Sequence, residues 1–509
     1  MGSFTATVSN QVFLQAVMDR FFTYICIIFL PCLAHAQTTS VFSFAEIGTF
    51  ISSSGQVPFW LRANQWGTVP LTSPLGTARL GFRYQSPTSS TDSIFRKPRL
   101  RYGLGGEAVA NVGAENNLIL PEAFGKLRWK QWELMAGREK QIVGIVDTTL
   151  SSGSYSWSGN ALPVPMVRFG LAEYLPFGFL KNFISMKGSF AHGWFLNTYI
   201  QKSYLHQKSL YGRFGKPEGN VHVQLGIVHH VMWGGEADYL IDNPVAVNGK
   251  LTSSFHNYLY GVVLAQIPEQ KSNSQITSFD GVNRIGNHLG HFDLAVDWQI
   301  KKTKFMLYRQ HPFEDASGIA FQNLPDGLTG LSLRRNPASS SFFVWRGLVL
   351  EYFYAKNQTG DDFTIPGSRF TGGDNYFNHL QYVEGWSYKG NGLGTPFIPT
   401  KQEVKEGVPL SYLYLPTNRV VFYHLGLEGL LAQKVRFMVK LSHGRHYLSS
   451  LTPLSDPIYR QFSSMLSVDA PFLRWGDTRL KAQLAYDKGD VLPDSFGGYL
   501  GIKSNFRKN

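Results

Sequence analysis

Thiol chemistry is almost missing from this chain: of 509 residues only Cys26 and Cys32 are cysteine, and both fall in the first apolar stretch. If that stretch is removed on export, the remainder holds no disulfide and no cysteine-ligated metal. Long apolar runs are missing too. After Ala36 nothing approaches the ~18 consecutive apolar residues that a membrane-spanning helix needs. Charge is sparse, with 16% Asp, Glu, Lys and Arg, and mean hydropathy is −0.13, too polar for a helical membrane protein. The strong catalytic signatures HExxH, GxSxG and the P-loop are absent as well. Gly392-Leu393-Gly394 follows no strand and opens no helix, so it reads as a loop turn.

What the chain does have is aromatics, at 14%, together with 51 glycines and 24 tyrosines. Phe21 to Leu33 is a short apolar run behind Arg20, and Ala34-His35-Ala36 follows it with the small-x-small pattern of a signal-peptidase site. Residues 1–36 are therefore expected to be a signal peptide cleaved after Ala36, with Met18 as an alternative start. The formal charge of +13 and pI of about 9.4 make an anionic partner plausible.

Segment after segment alternates with period two. In Phe292 to Ile300 the even positions are large and apolar, and the odd ones are polar or small. The same split separates Val435, Phe437, Val439 and Leu441 from Arg436, Met438 and Lys440, and Leu480, Leu484 and Tyr486 from Lys481, Gln483 and Asp487. A strand puts such sets on opposite faces. Connections are very short, as at Lys301 to Thr303 and Leu430 to Gln433, or very long, roughly 233 to 289 and 357 to 417. Outer-membrane barrels pair short periplasmic turns with long external loops, and each strand with its connection takes about 25 residues.

The fold class expected is thus all-β: an antiparallel transmembrane β-barrel of about 18 strands, in the bacterial outer membrane, with loops exposed at the cell surface. Strands are expected to start near 41, 77, 99, 118, 131, 163, 183, 207, 221, 290, 304, 328, 342, 418, 434, 459, 478 and 496. Residues 37–76 would hold the first strand and a short periplasmic or plug segment, Pro58 to Gly67, and 77–509 the remainder of the barrel. The apolar, tyrosine-rich stretch 254–267 is expected as a helix or hairpin within an external loop. With the apolar face toward lipid, Arg436, Lys440 and Lys481 would point into the lumen as a basic lining.

Candidate binding residues cluster in the expected external loops. Tyr376, His379, Trp386 and Tyr388 crowd one segment, Trp157 lies in another and Trp233 in a third. Aromatic faces of this kind stack on sugar rings, although they also pack loops onto one another. Glu314-Asp315 would supply acidic groups for a glycan, or cap a turn. No cofactor or metal is expected: His229-His230 are adjacent on a strand, so their side chains diverge.

Several segments resemble the Wzi family of outer-membrane capsule-assembly proteins. They are Glu122-Ala123-Phe124-Gly125-Lys126-Leu127 leading into Ala136-Gly137-Arg138; Val231-Met232-Trp233-Gly234-Gly235; Glu314-Asp315-Ala316-Ser317-Gly318; and Tyr376-Phe377-Asn378-His379 with Gly385-Trp386-Ser387-Tyr388. The resemblance implies an eighteen-stranded barrel acting as a lectin, without enzymatic activity, which holds capsular polysaccharide at the cell surface and helps organise it into a capsule. The partners expected are capsular or extracellular polysaccharide, outer-membrane lipid and capsule-export machinery, and no nucleic acid. It departs from the family at Gln141-Ile142-Val143-Gly144, where a tryptophan-rich loop is implied, and in lacking room for a helical N-terminal region. The alternatives are an outer-membrane channel for anionic solutes or glycans and, last, an outer-membrane glycan or lipid hydrolase.

Overall fold

A computed structural model describes residues 40–508 except 87–99, 197–198, 269–275, 278–279, 282–283, 336–340, 363–371, 410–412, 449–457 and 473–476. The expected signal segment 1–36, with Cys26 and Cys32, lies outside the described residues. Nineteen hydrogen-bonded segments form one sheet. Two of them, Met166–Leu171 and Leu175–Pro176, pair with the same neighbour and are halves of one interrupted strand, which leaves eighteen staves. The first nine are β1 (Ser40–Ser52), β2 (Leu75–Gln85), β3 (Arg101–Gly113), β4 (Asn117–Trp129), β5 (Trp132–Arg138), β6 (Met166–Leu171 with Leu175–Pro176), β7 (Ile184–Phe195), β8 (Ser203–Phe214) and β9 (Val221–Trp233). The others are β10 (Asn287–Ile300), β11 (Thr303–Phe313), β12 (Gly327–Arg335), β13 (Phe343–Tyr354), β14 (Arg419–Leu431), β15 (Val435–Tyr447), β16 (Tyr459–Pro471), β17 (Asp477–Gly489) and β18 (Ser495–Lys508).

Each strand pairs antiparallel with the next, and β1 pairs with β18 from Val41↔Lys508 to Ser52↔Gly497. The sheet therefore has no edge, which is what a sheet in lipid requires, because no water is there to pair a free amide. The strand starts follow the sequence expectation. Turns as short as Lys130-Gln131 and Lys301-Lys302 gather at the end that carries the termini, with Lys130 and Lys301 in the left-handed region. The long connections 139–165, 234–286 and 355–418 gather at the other, here called the loop end. Within 234–286, Phe255–Asn257 and Tyr258–Val263 form short helices, as expected of the tyrosine-rich stretch.

The period-two pattern sorts side chains between two solvents. Leu500 is 53% exposed on the outside, whereas its neighbour Tyr499 is 4% exposed in the interior. Tyr499 lies flat over Gly48 and Gly501, where a Cβ would overlap its ring, and donates a 2.8 Å hydrogen bond to Glu46. Aromatic pairs border the outer apolar band on both sides. Trp298–Phe305 and Phe343–Phe437 stack near the terminus end, and Tyr352–Tyr423 lies near the loop end. Phe343 and Tyr352 are separated by about 30 Å of strand, or about 23 Å after a 40° tilt, close to the ~25 Å band of outer-membrane barrels.

The interior is filled by the chain itself. The segment 53–74 turns inward as α1 (Phe59–Arg62), all four residues of which are buried. The Phe59 N–H donates to Asp487 Oδ2 at 2.7 Å, Trp60 packs on His424, and Arg62 pairs with Glu403 with both side chains buried. Residues 139–165 fold beside this segment against the wall. Ser152 N–H donates to Glu351, Tyr155 N–H to Gln310 and Ile145 N–H to Asp293. Inward carboxylates and amides of the wall thus satisfy backbone groups that an irregular loop would otherwise bury unpaired.

Candidate functional site

At the loop end, 139–165 and 355–418 meet in a cap whose centre is aromatic. Tyr155 packs on Phe377 with centroids 5.1 Å apart and on the edge of Tyr376 at 6.2 Å. Trp157 stacks on His230 at 5.4 Å and meets Trp386 edge-on at 6.2 Å. The Trp386 indole N–H donates to the Ser156 carbonyl at 2.8 Å. Gly394 is needed here, since a Cβ would lie 2.6 Å from the Tyr155 carbonyl and 2.7 Å from the Phe377 ring. The structure therefore brings Trp157, Tyr376 and Trp386 together, but as packing. Tyr376 and Trp386 are 0% and 1% exposed. A ring enclosed to that degree has no free face for a sugar, which corrects the expectation that these rings stack on glycan.

The remaining predicted residues are placed as follows. Trp233 sits in a separate cluster with Val231, Val262 and Ile285, stacked on Tyr258 at 4.9 Å, and is likewise enclosed. His379 Nδ1 accepts the N–H groups of Gln381 and Tyr382, and burial lowers its pKa to about 4. Tyr388 is buried against Phe195, with its hydroxyl reached by Arg138 at 3.4 Å. Glu314 accepts the Phe377 N–H at 2.8 Å, and Asp315 caps the short helix Ala316–Ile319 through Ser317 and Gly318. Both carboxylates are thus spent on loop architecture.

Burial governs the charge state of this cap. It raises Glu314 well above the carboxylate range and Asp374 to about 7, with the Asp315 charge adding to the second shift. Asp326 is raised to about 6 by burial, against the opposing pull of hydrogen bonds from the Tyr376 hydroxyl at 2.7 Å and the Gln358 N–H at 2.7 Å. Among the described residues no group of three or more His, Cys, Asp or Glu is placed to hold a metal ion.

Beside the cap, an open cleft of about 510 Å³ runs along the barrel rim at the loop end. Its walls are residues 67–71, the tip of the β3–β4 hairpin, and the segments 388–391 and 402–403. Arg62 and Glu403 form its floor, and Arg138, Glu115, Asn117 and Asn391 its sides, with Lys389 and Gln402 exposed at the lip. Arg138 is fixed by a 2.9 Å bond to the Leu120 carbonyl, and Glu115 accepts from Thr72 at 2.8 Å. Fixed guanidinium, carboxylate and amide groups facing one open cleft can recognise the hydroxyls and acidic groups of a glycan. Of the predicted residues only Tyr388 borders it. The other cleft residues carry no aromatic signal; the hints were Arg138 in the patch Ala136-Gly137-Arg138 and Arg62 and Gly67 in the segment Pro58 to Gly67.

A second cavity, of about 470 Å³, lies deeper in the lumen beneath Trp60 and Trp66. The three predicted lumen cations, Arg436, Lys440 and Lys481, all line it, with Arg346. Lys440 sits 4.6 Å from the Trp60 ring centroid and donates to the Ser151 carbonyl at 3.2 Å. Asp147, Glu428 and Asp469 face the same space, so the lining is mixed in sign.

The family model for capsule assembly protein Wzi matches residues 83–405. No curated protein matches the sequence. Among solved structures, the chain is similar to Wzi of Escherichia coli, described as an outer-membrane protein involved in group 1 capsule assembly and as a carbohydrate-binding β-barrel. The two share 13% identity with a TM-score of 0.55, over 90% of this chain and 83% of that one. Pseudomonas aeruginosa OccK5 (OpdH) shares 8% identity at a TM-score of 0.47, over 92% of this chain and 98% of that one.

Proposed function

Because the chain belongs to the capsule assembly protein Wzi family, we propose that it is a non-catalytic carbohydrate-binding barrel of the outer membrane. It holds capsular or extracellular polysaccharide at the cell surface through the loop-end cleft. The observation that carries this reading is the cleft itself: fixed Arg138 and Asn117 beside the exposed Lys389 and Gln402, over a buried Arg62–Glu403 floor. The carbohydrate binding ascribed to the Escherichia coli barrel supports it. A chain of formal charge +13 further favours acidic polysaccharide. The enclosed aromatics take a different role, holding the cap closed so that the cleft keeps its shape.

Four cations against three carboxylates leave the lumen chamber slightly basic, which favours conduction of anions as a second reading, with capsule-export machinery as a partner in either case. Against it stand the segments 53–74 and 139–165, which cross the lumen above the chamber. Calorimetric titration of the detergent-folded barrel with capsular polysaccharide tests the two together with planar-bilayer recording. Saturable binding that falls about tenfold in R138A/Q402A, a loss of one to two charge-assisted hydrogen bonds, with negligible conductance, supports the cleft. Ion conductance with no binding supports the channel instead.

A further inference from the structure

The outer wall carries a second ordered surface. Leu307, Leu331, Leu350, Leu425 and Leu441 face outward on β11 to β15, each directly opposite the next in the strand register. One step toward the loop end, Arg309, Thr329, Tyr352, Tyr423 and His443 form a second row by the same pairings. Between them lies an apolar surface groove of about 570 Å³. One further step up, Arg445 on β15 stands directly opposite Arg460 on β16, both exposed.

Like charges directly opposite across an antiparallel pair repel, and among the described residues neither guanidinium is given a carboxylate. Asp490 takes the main-chain N–H of Arg460 at 2.8 Å. Arg309, beside the groove, donates to Thr329 Oγ1 and the Pro325 carbonyl at 2.7 Å and to the Asp326 carbonyl at 2.5 Å, and it feels the charge of the Asp326 carboxylate. Leucines below, tyrosines between and a facing pair of arginines above repeat, on a protein wall, the order of an acyl chain, a lipid's interfacial region and an anionic headgroup.

We propose that this face binds a membrane lipid through its phosphate-bearing headgroup. The phosphate bridges Arg445 and Arg460 by paired N–H donors, and an acyl chain lies along the leucine row. The charge of the arginine pair and the apolar groove beneath it together select a lipid phosphate over a free anion. The inference rests on the outward face meeting lipid and is independent of the glycan cleft.

Native mass spectrometry of the barrel in neutral detergent tests it, with diphosphoryl lipid A, its dephosphorylated counterpart and inorganic phosphate as probes. Wild-type protein is expected to retain the diphosphoryl lipid about tenfold more strongly than R445Q/R460Q does, and about tenfold more strongly than the dephosphorylated lipid. Equal retention by the two proteins, or of the two lipids, overturns the proposal. So does inorganic phosphate binding as strongly as the lipid, which would make this a free-anion site. The unfolding temperature without lipid is the control on folding. It should be no lower in R445Q/R460Q, because repulsion is relieved; a lower value means that the arginines serve the fold and contradicts the lipid site.

Discussion

Trp386 spends its N–H on the Ser156 carbonyl and its ring on Trp157 and His230, all within the protein. Replacing it with alanine removes a buried ring and leaves a cavity, a change that costs about 3–5 kcal/mol. W386A is therefore expected to make the cap labile to protease while the barrel still migrates as a folded species on unheated gels. Unaltered cleavage would mean that the ring is not structural. Arg62 and Glu403 make a second residue-scale case, since both are buried and face each other. R62A leaves a buried carboxylate alone and is expected to cost about 3–5 kcal/mol, whereas R62M/E403L, which removes both charges, costs much less. Thermal unfolding of the two variants decides this. At this scale the sequence was least legible. It shows that residues 376–388 are rich in rings, but whether rings face solvent or one another depends on which loops meet, and those contacts join positions 156 and 386.

Elements were far more legible. A strand between lipid and lumen must alternate, and Phe292 to Ile300 of β10, most of β15 and β17 do so, which makes their inward Asp293, Lys440 and Lys481 legible in the sequence. The tyrosine-rich stretch 254–267 was also readable, because counting it as a strand would break the even parity. The inward course of 53–74 and 139–165 was not, since each is held by single wall residues, such as Asp487 and Glu351, that lie hundreds of positions away. Replacing residues 58–67 with a Gly-Ser linker is expected to raise single-channel conductance severalfold over a nearly silent wild type. No change in planar-bilayer recordings would contradict a lumen blocked by this segment.

The cap as an element should also respond to pH. Asp374 and Asp326 are raised to about 7 and about 6, so the folded chain holds protons that the unfolded chain has already lost. Their contribution to stability is complete below the unfolded value of 3.8 and disappears as pH rises through the folded values. Cleavage within 355–418 should accordingly be slower near pH 5 than near pH 8, and D374N should flatten that difference. Equal rates at both pH values in wild-type protein would refute the assignment.

For the molecule as a whole, the closed sheet and its tight turns hold the wall rigid, and the inward segments carry the fixed cap and cleft. The chain's excess of positive charge is distributed over the lumen, the rim and the outer wall, so different anions can meet different faces. In the function proposed, polysaccharide is held at the rim cleft, outside the lumen and apart from the buried rings. Hydrogen–deuterium exchange of the folded barrel with and without capsular polysaccharide tests it most directly. Protection confined to residues 67–71, 115–120, 388–391 and 402–403 is the predicted result. Polysaccharide binding that leaves these segments unprotected, or that protects the chamber around Arg436 and Lys481 instead, would contradict it.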